Sequence, residues 1–482
     1  MPELSAPVQA VIRCAYGVLL LGTLLMALPH GRRFFLSERW GGYGKSTPEV
    51  DGIQNPVVYP TLMCIWLACA CLIALGRWTV PAAFVNLLLC RYFFVQMRWK
   101  GVARGMGAPG FMTYWLGAVV LLLEYTSRHA PAQRPLALLV AQADFAFIML
   151  SAGLYKLSAG YARNYGMELG LANPAWGYWW RTYAGLPPGH SVFRVMNQLA
   201  WSTEVVAAIL MLVPPTRFLG GLLIVGSFLF IATQIRLGLL CETVVVTGLL
   251  FVNPGAPGDA WIAWLLPASA SAPAGLAAWP VANAVLAACL WAYLGLLPFV
   301  HAGLFYNFYG RRSLPRILQG ALETYSNFFG IIIWRVFSVD VVNFFVRIYE
   351  QPRHGGDRIL VSHYGLRGGL RYSHVCESIA VTSVFTTLKY YPSNDALFRE
   401  RLLRYARTVP CRDGCVLTFE YVSIRKELRR FEFIPVAEFV VDARRGSIEE
   451  RILDRSVLVR AAHAVSPVHE GTRPGTYAPL ES

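Results

Sequence analysis

The chain has 482 residues, enough for two or three domains, and 55% of them are hydrophobic, with a mean hydropathy of +0.45, above the apolar share of soluble proteins. Its 43 Lys+Arg outweigh 28 Asp+Glu, giving +15, but no aromatic-interleaved basic stripe accompanies them; nucleic acid is excluded as a partner, and anionic membrane lipids are expected instead. Ten cysteines supply one C-x3-C pair, Cys411 and Cys415, without the second pair or His-x3-His of a zinc set, so no metal is expected.

Apolar windows near the about 20 residues needed to cross a hydrocarbon core recur at 8–28, 57–75, 80–95, 111–125, 136–157, 199–213, 218–235, 239–252 and 276–305. Backbone amides cannot go unpaired in lipid, so these windows are helices. Several fall short of a full span. The expectation is therefore an α-helical polytopic membrane protein with about eight transmembrane helices, give or take two, multi-pass in a bacterial inner membrane. The first window lacks the basic n-region and small-x-small site of a secretory leader and reads as a retained helix.

Between the windows, loop 31–56 carries Gly41-Gly-Tyr-Gly-Lys45-Ser46. It fails as a phosphate loop, because Arg39 stands where the first glycine belongs and no strand precedes it. Residues 254–274 are rich in Pro, Ala and Ser and read as a linker around the short apolar piece 261–266. Basic residues gather at Arg32/Arg33, Arg98/Lys100/Arg104, Arg311/Arg312/Arg316 and Arg425/Lys426 with Arg429/Arg430. Adjacent loops carry similar loads, which leaves the sidedness undecided.

The organisation predicted is a transmembrane bundle over 1–310, an amphipathic interfacial segment over 311–352, a small C-terminal α+β soluble domain over 353–465, and a tail over 466–482. Residues 328–340 mix apolar and charged side chains too closely for a span and read as an interfacial helix. In the soluble domain, 358–366 reads as a strand, Ser393-Asn-Asp395 caps a helix to about Arg407, and 415–424 and 431–442 read as strands.

Ionisable side chains at membrane depth are costly, which makes each a functional candidate. Asp144, Lys156, Glu204, Arg236 and Glu242 qualify. Asp144 and Lys156 share a window but lie twelve residues apart, about 120° around a helix, so they face different neighbours. Burial disfavours an ammonium, which is how a lysine becomes a general base; the competing reading is a lysine snorkelling from a helix end. Glu204, with Asn197 and Gln198 about two turns earlier, gives its helix a polar stripe suited to a bundle interior, and an ion pair with Arg236 or Lys156 is the structural alternative. Arg236 and Glu242 read as interface residues. His374-Val-Cys376-Glu377, with His363 nearby, sets a base, a thiol and a carboxylate close in sequence, though alternate strand residues point to opposite faces. No H-E-x-x-H, G-x-S-x-G, dinucleotide glycine cluster or c-type haem motif occurs.

The run Ser151-Ala-Gly-Leu-Tyr-Lys156-Leu-Ser-Ala-Gly-Tyr161-Ala-Arg-Asn-Tyr-Gly166-Met-Glu-Leu resembles the vitamin K-dependent γ-glutamyl carboxylases, which have A-G-x-x-K-L, an aromatic, then G-Y-S-M-E. Ala172-Asn173-Pro174-Ala-Trp176-Gly-Tyr178-Trp179, the helix with Glu204, Arg217-Phe-Leu-Gly-Gly and a helix ending in Gln234 look like the lipase maturation factors. Both belong to the wider group with a horizontally transferred transmembrane (HTTM) domain. The resemblance covers about 10–252, with its specific part at 145–242. It implies that Lys156 matches the lysine implicated as base in vitamin K epoxidation, with a quinone or hydroquinone as the cofactor in question; the intramembrane charges Glu204 and Asp144 are read as its polar neighbours in a catalytic set. One departure stands out: where the carboxylases have W-N-N-H, this chain has Pro109-Gly-Phe-Met112-Thr-Tyr114, without a histidine.

Two functional readings follow. One is a membrane-embedded carboxylase-like enzyme that modifies a peptide or hydrophobic substrate with an intramembrane lysine as base. The other is a non-catalytic maturation factor whose bundle anchors a domain that assists folding or export of a partner protein.

Overall fold

The computed structural model describes residues 1–95, 103–265, 280–334, 339–353, 355–362, 375–391 and 393–454. Its first part is a helical bundle: α1 (Ala6–Ala27), α2 (Val58–Leu75), α3 (Thr79–Cys90), α4 (Ala103–His129), α5 (Arg134–Ala159), α6 (Ser191–Leu212), α7 (Arg217–Gln234), α8 (Leu240–Gly248) and α9 (Pro280–Tyr309). Among the described residues six helical stretches are long and apolar enough to cross a membrane, where about eight, give or take two, are expected. They begin at Ala6, Val58, Pro131, Ser191, Pro214 and Pro280. The windows at 80–95 and 239–252 form shorter apolar helices, Thr79–Val95 and Leu240–Phe251.

Burial separates the centre of the bundle from its rim. In the span Pro131–Ala159, 78% of the apolar window is buried, while the other five spans bury 22–39%. The rim helices turn Leu, Val and Phe side chains outward, as lipid-facing helices do, whereas α5 is enclosed. Its closest approach is to α6 at Gly153, where a Cβ would lie 2.6 Å from Val205 Cγ2 and 3.0 Å from the Trp201 carbonyl. The missing side chain lets the two backbones meet.

After α9 comes the amphipathic helix α10 (Arg316–Phe329). Sequence reading carries an interfacial helix through 328–340; the helix instead stops at Gly330, whose φ of 75° needs a residue without Cβ. Ile331–Trp334 then runs inward. Trp334 is 2% exposed, stacks on Phe228 at 6.3 Å, and its backbone N–H donates to Ser151 Oγ at 3.2 Å.

The C-terminal domain is a five-stranded antiparallel sheet in the order β2-β1-β3-β4-β5: β1 (Phe344–Pro352), β2 (Ile359–Leu360), β3 (Cys415–Lys426), β4 (Phe431–Asp442) and β5 (Ser447–Ile452). Two helices, α11 (Val375–Phe385) and α12 (Asp395–Thr408), cover one face, where Phe385, Phe398 and Tyr405 pack on Phe419 and Phe439. The domain begins earlier than the sequence suggests, because β1 lies within the segment read as interfacial. Of the strand expected at 358–366, Ile359–Leu360 is extended and 363–366 lie outside the described residues. The linker expected at 254–274 contains a helix, Pro257–Leu265.

The domain sits directly on the bundle. Phe431 meets Phe193 edge-on at 5.8 Å and Phe433 meets Trp180 at 6.0 Å. Asn173 Nδ2 donates to the carbonyls of Val342 and Phe344, each at 2.8 Å, which fixes the entry into β1. Arg33 Nη1 donates to Glu377 at 3.0 Å from the loop after α1.

Candidate functional site

Asn197 and Glu204 lie seven residues apart on α6, two helical turns, so both side chains face α5 and the loop that follows it. Glu204 is 2% exposed and Lys156, in the last turn of α5, is 3% exposed. Lys156 Nζ donates to Glu204 Oε1. The second carboxylate oxygen, Oε2, is buried and has no protein partner among the described residues. The lysine is thus neither snorkelling nor lipid-facing: it holds an ion pair inside the bundle.

One layer toward the C-terminal domain sits a second buried carboxylate. Glu168 is fully buried; its Oε2 accepts from Asn197 Nδ2 at 2.8 Å and from the Gly166 N–H at 3.0 Å, and its Oε1 accepts from Lys426 Nζ at 2.6 Å. Asn197 Oδ1 in turn accepts from the Met167 N–H at 3.0 Å. Tyr161 packs beside both layers. Burial, then the nearby Tyr155 hydroxyl and the charges of Glu168 and Glu204, push its phenol well above the usual tyrosine range. Lys156, Glu204, Asn197, Glu168 and Lys426 therefore form a polar column from the bundle interior to β3.

Asp144 belongs elsewhere. It stands three turns before Lys156, about 18 Å along the axis at 1.5 Å per residue. Its Oδ2 accepts from Trp115 Nε1 at 2.8 Å and from Tyr293 OH at 3.0 Å. The structure brings Lys156 and Glu204 together and leaves Asp144 in a separate site between α4, α5 and α9. Arg236 does not reach Glu204: Nη1 donates to the Pro174 carbonyl at 2.7 Å, and the guanidinium lies 5.3 Å over the Tyr178 ring. Glu242 is half-buried near the same tyrosine. Burial is the main cause that lifts Tyr178 to about 12, opposed by Arg236 and aided by Glu242.

In the C-terminal domain, His363 and His374 lie outside the described residues. Cys376 lies at the start of α11, and burial is the largest cause that raises its thiol to about 12, the opposite of what a nucleophile needs. Among the described residues no group of three or more His, Cys, Asp or Glu is arranged to hold a metal ion.

Sequence reasoning missed three buried polar groups. Glu168 lies in the run Gly166-Met-Glu-Leu, two residues after the glycine. Glu124, on α4, accepts from Gln9 and Thr79 at 3.0 Å each. His301, on α9, is 1% exposed, stacks on Phe147 at 4.8 Å and shares a hydrogen bond with the Leu297 carbonyl at 3.0 Å. The rule that selected Lys156, an ionisable side chain among apolar neighbours, selects all three.

No protein-family model, no curated protein and no solved structure matches the chain. The likeness to the carboxylase-like families rests on its residues alone.

Between α6 and α7, beside this column, runs an apolar groove of about 420 Å³ lined by Met167, Met196, Ala200, Thr203, Leu223 and Phe230, among others. Met167 of its lining is one residue from Glu168.

Proposed function

We propose that the chain is a membrane-embedded enzyme of the carboxylase-like HTTM kind, with Lys156 as the base that takes a proton from a peptide or hydrophobic substrate. In this reading the two shorter apolar helices complete a set of eight in a bacterial inner membrane. The observation that supports it is the buried pair between Lys156, on the most enclosed helix, and Glu204 of α6. A bundle that serves only as an anchor gains nothing from buried charges, because each must be stripped of water. Glu204 supplies what a lysine base needs: an acceptor for the ammonium proton, after which the neutral amine is free to accept another.

The test compares the native chain with Lys156→Met and with Lys156→Met/Glu204→Leu, all full-length and at matched membrane abundance. Co-produced peptides and membrane lipids are compared by mass spectrometry. An apolar pair of similar volume replaces a buried ion pair at little or no cost in stability, so the double variant keeps the fold while removing the chemistry. A modified species present with the native chain and absent with both variants supports the base. Retention of every such species in the double variant refutes it.

One feature favours the maturation-factor reading. Strand β5 is the outer strand of the sheet and is exposed along most of its length, a geometry that accepts an added strand from a partner. Under that reading the double variant still matures its partner.

A further inference from the structure

The loops of the bundle sort into two ends, and specific contacts fix the sorting. At one end is the C-terminal domain. Arg33 bonds Glu377, Glu168 bonds Lys426, Asn173 holds the entry to β1, and Arg91 donates to the Asn327 carbonyl at 3.1 Å. The segments after α1, after α3, after α5 and after α9 are all therefore at the domain end. At the other end Ser5 meets Asp259, Arg134 donates to the Leu4 carbonyl at 2.7 Å, and Asn283 donates to the His129 carbonyl at 3.0 Å.

Sorted this way, the basic residues are unevenly placed. The domain end exposes Arg32, Arg39 and Lys45 after α1, Arg163 and Arg181 after α5, and Arg311, Arg312 and Arg316 after α9. Among the described residues the far end carries fewer: Arg77 is exposed, Arg217 is half-buried, and three others are engaged. Arg13 caps the Ile73 carbonyl at 2.6 Å, Arg128 bonds Glu124 at 3.2 Å, and Arg134 bonds Leu4 and Gln9. Loop-by-loop counting along the sequence hides this asymmetry, because it does not show which loops share an end.

Helix α10 adds a second observation. Its inner side, Leu322 and Ser326, is buried against α9 near Gly303. Its outer side carries Ile317 at 86% exposure and Phe328 at 63%, with Leu318 and Ala321 between them. This apolar stripe continues the outward face of α9, where Phe299 is 75% exposed, and its N-terminus carries the three arginines. An apolar stripe beside a lipid-facing helix and headed by basic residues fits a helix that starts in the headgroup layer and dips into the leaflet at its end, where Phe329 meets Tyr293 of α9 at 5.1 Å.

We infer that the domain end is the cytoplasmic end: α10 lies in the cytoplasmic leaflet with Arg311, Arg312 and Arg316 against anionic lipid phosphates, and the C-terminal domain faces the cytoplasm. Basic residues flanking spans stay on the cytoplasmic side, and that leaflet carries the anionic lipids that attract them. The orientation holds whichever reaction, if any, the bundle performs. It also places Cys411 and Cys415 in a reducing compartment.

The experiment fuses the full-length chain, after Ser482, to a fluorescent protein that matures only in the cytoplasm and, separately, to alkaline phosphatase, which is active only outside it. Bright fluorescence with an inactive phosphatase is expected; an active phosphatase with a dark fluorescent protein overturns the orientation. Protease treatment of inside-out and right-side-out vesicles decides independently of the fusions. The 425–430 segment is expected to be cut in inside-out vesicles, and cutting in right-side-out vesicles alone overturns it. In nanodiscs containing a photoactivatable anionic phospholipid, cross-links should map to 311–329 and fall at least about threefold in the R311E/R312E/R316E variant. Cross-links that avoid that segment, or that persist unchanged in the variant, overturn the headgroup contact.

Discussion

Lys426, near the end of a strand in the C-terminal domain, donates to the carboxylate of Glu168, 258 positions earlier and fully buried beneath it, at 2.6 Å. The same ammonium lies 4.3 Å over the Tyr165 ring. Asn197 and the Gly166 N–H satisfy the other oxygen of Glu168, so Lys426 is the charge that balances it. Lys426→Met leaves a desolvated carboxylate without its cation, at a cost of about 1–3 kcal/mol. The expected result is a lower thermal midpoint of the detergent-solubilised protein and faster proteolytic release of the domain. Lys426→Met/Glu168→Gln should recover most of the loss. An unchanged midpoint in the single variant would refute the pairing.

The α5–α6 crossing depends on Gly153. A Cβ there would lie 2.6 Å from Val205 Cγ2, closer than carbon atoms approach, so Gly153→Ala should force the helices apart at about 1–3 kcal/mol. Lys156 is one turn further along and would part from Glu204 with them. Val205→Ala in the same chain removes the clashing methyl and should restore part of the midpoint, the Trp201 carbonyl at 3.0 Å still crowding the new methyl. No rescue would mean that the crossing does not depend on that contact.

Acid should loosen the C-terminal domain before the bundle. The Arg412 N–H at 2.5 Å and its guanidinium at 2.9 Å hold the Glu350 carboxyl below the usual glutamate range. Partial burial raises Asp442, but the N–H groups of Arg445 and Arg444 and the Arg353 guanidinium outweigh it and hold its carboxyl below the aspartate range. A carboxyl depressed by folding binds protons more weakly in the folded state. Its contribution is complete above the unfolded range and is lost as pH falls through the folded value. Protection of the sheet in hydrogen exchange should be constant from about pH 7 to about pH 5 and fall below about pH 4.5. Glu350→Gln/Asp442→Asn should be less protected at pH 7 and flatter below it. A native profile equally flat would refute the assignment.

Cys376 should resist alkylation. Burial, first, and then the neighbouring Glu377 raise its thiol to about 12, so the thiolate is scarce near neutrality. Iodoacetamide at pH 7.5 should label it only after denaturation, as read by peptide mass spectrometry. Rapid labelling of the folded protein would refute the burial of this thiol.

Much of this architecture is legible in the sequence because it follows from local patterns. Apolar length marks the spans, alternation marks β3 and β4, and Asn394 caps α12 through a 3.0 Å bond to the Leu397 N–H. The strand β1 escaped notice because Phe344-Phe-Val merges with the apolar run before it, so no composition break marks where bundle gives way to sheet. The separation of Asp144 from Lys156 follows from helical geometry alone. Their partners do not: Trp115, Tyr293 and Glu204 come from other helices, and only the packing says which. Glu168 was passed over because its cation arrives from a strand far along the chain.

The inward run Ile331–Trp334 ties the bundle to the sheet. Trp334 occupies space against Phe228 and Ser151 that belongs to the bundle, although it is synthesised after every candidate span and directly before the sheet. The bundle therefore cannot reach its final packing until the ribosome has passed the last helix, and a cut anywhere before Ile331 takes a piece of the bundle core away with the sheet. Recombination with a junction right after the last long helix would leave a hole in the membrane part, so any exchange of the C-terminal domain is expected to keep the chain through Trp334 with the bundle.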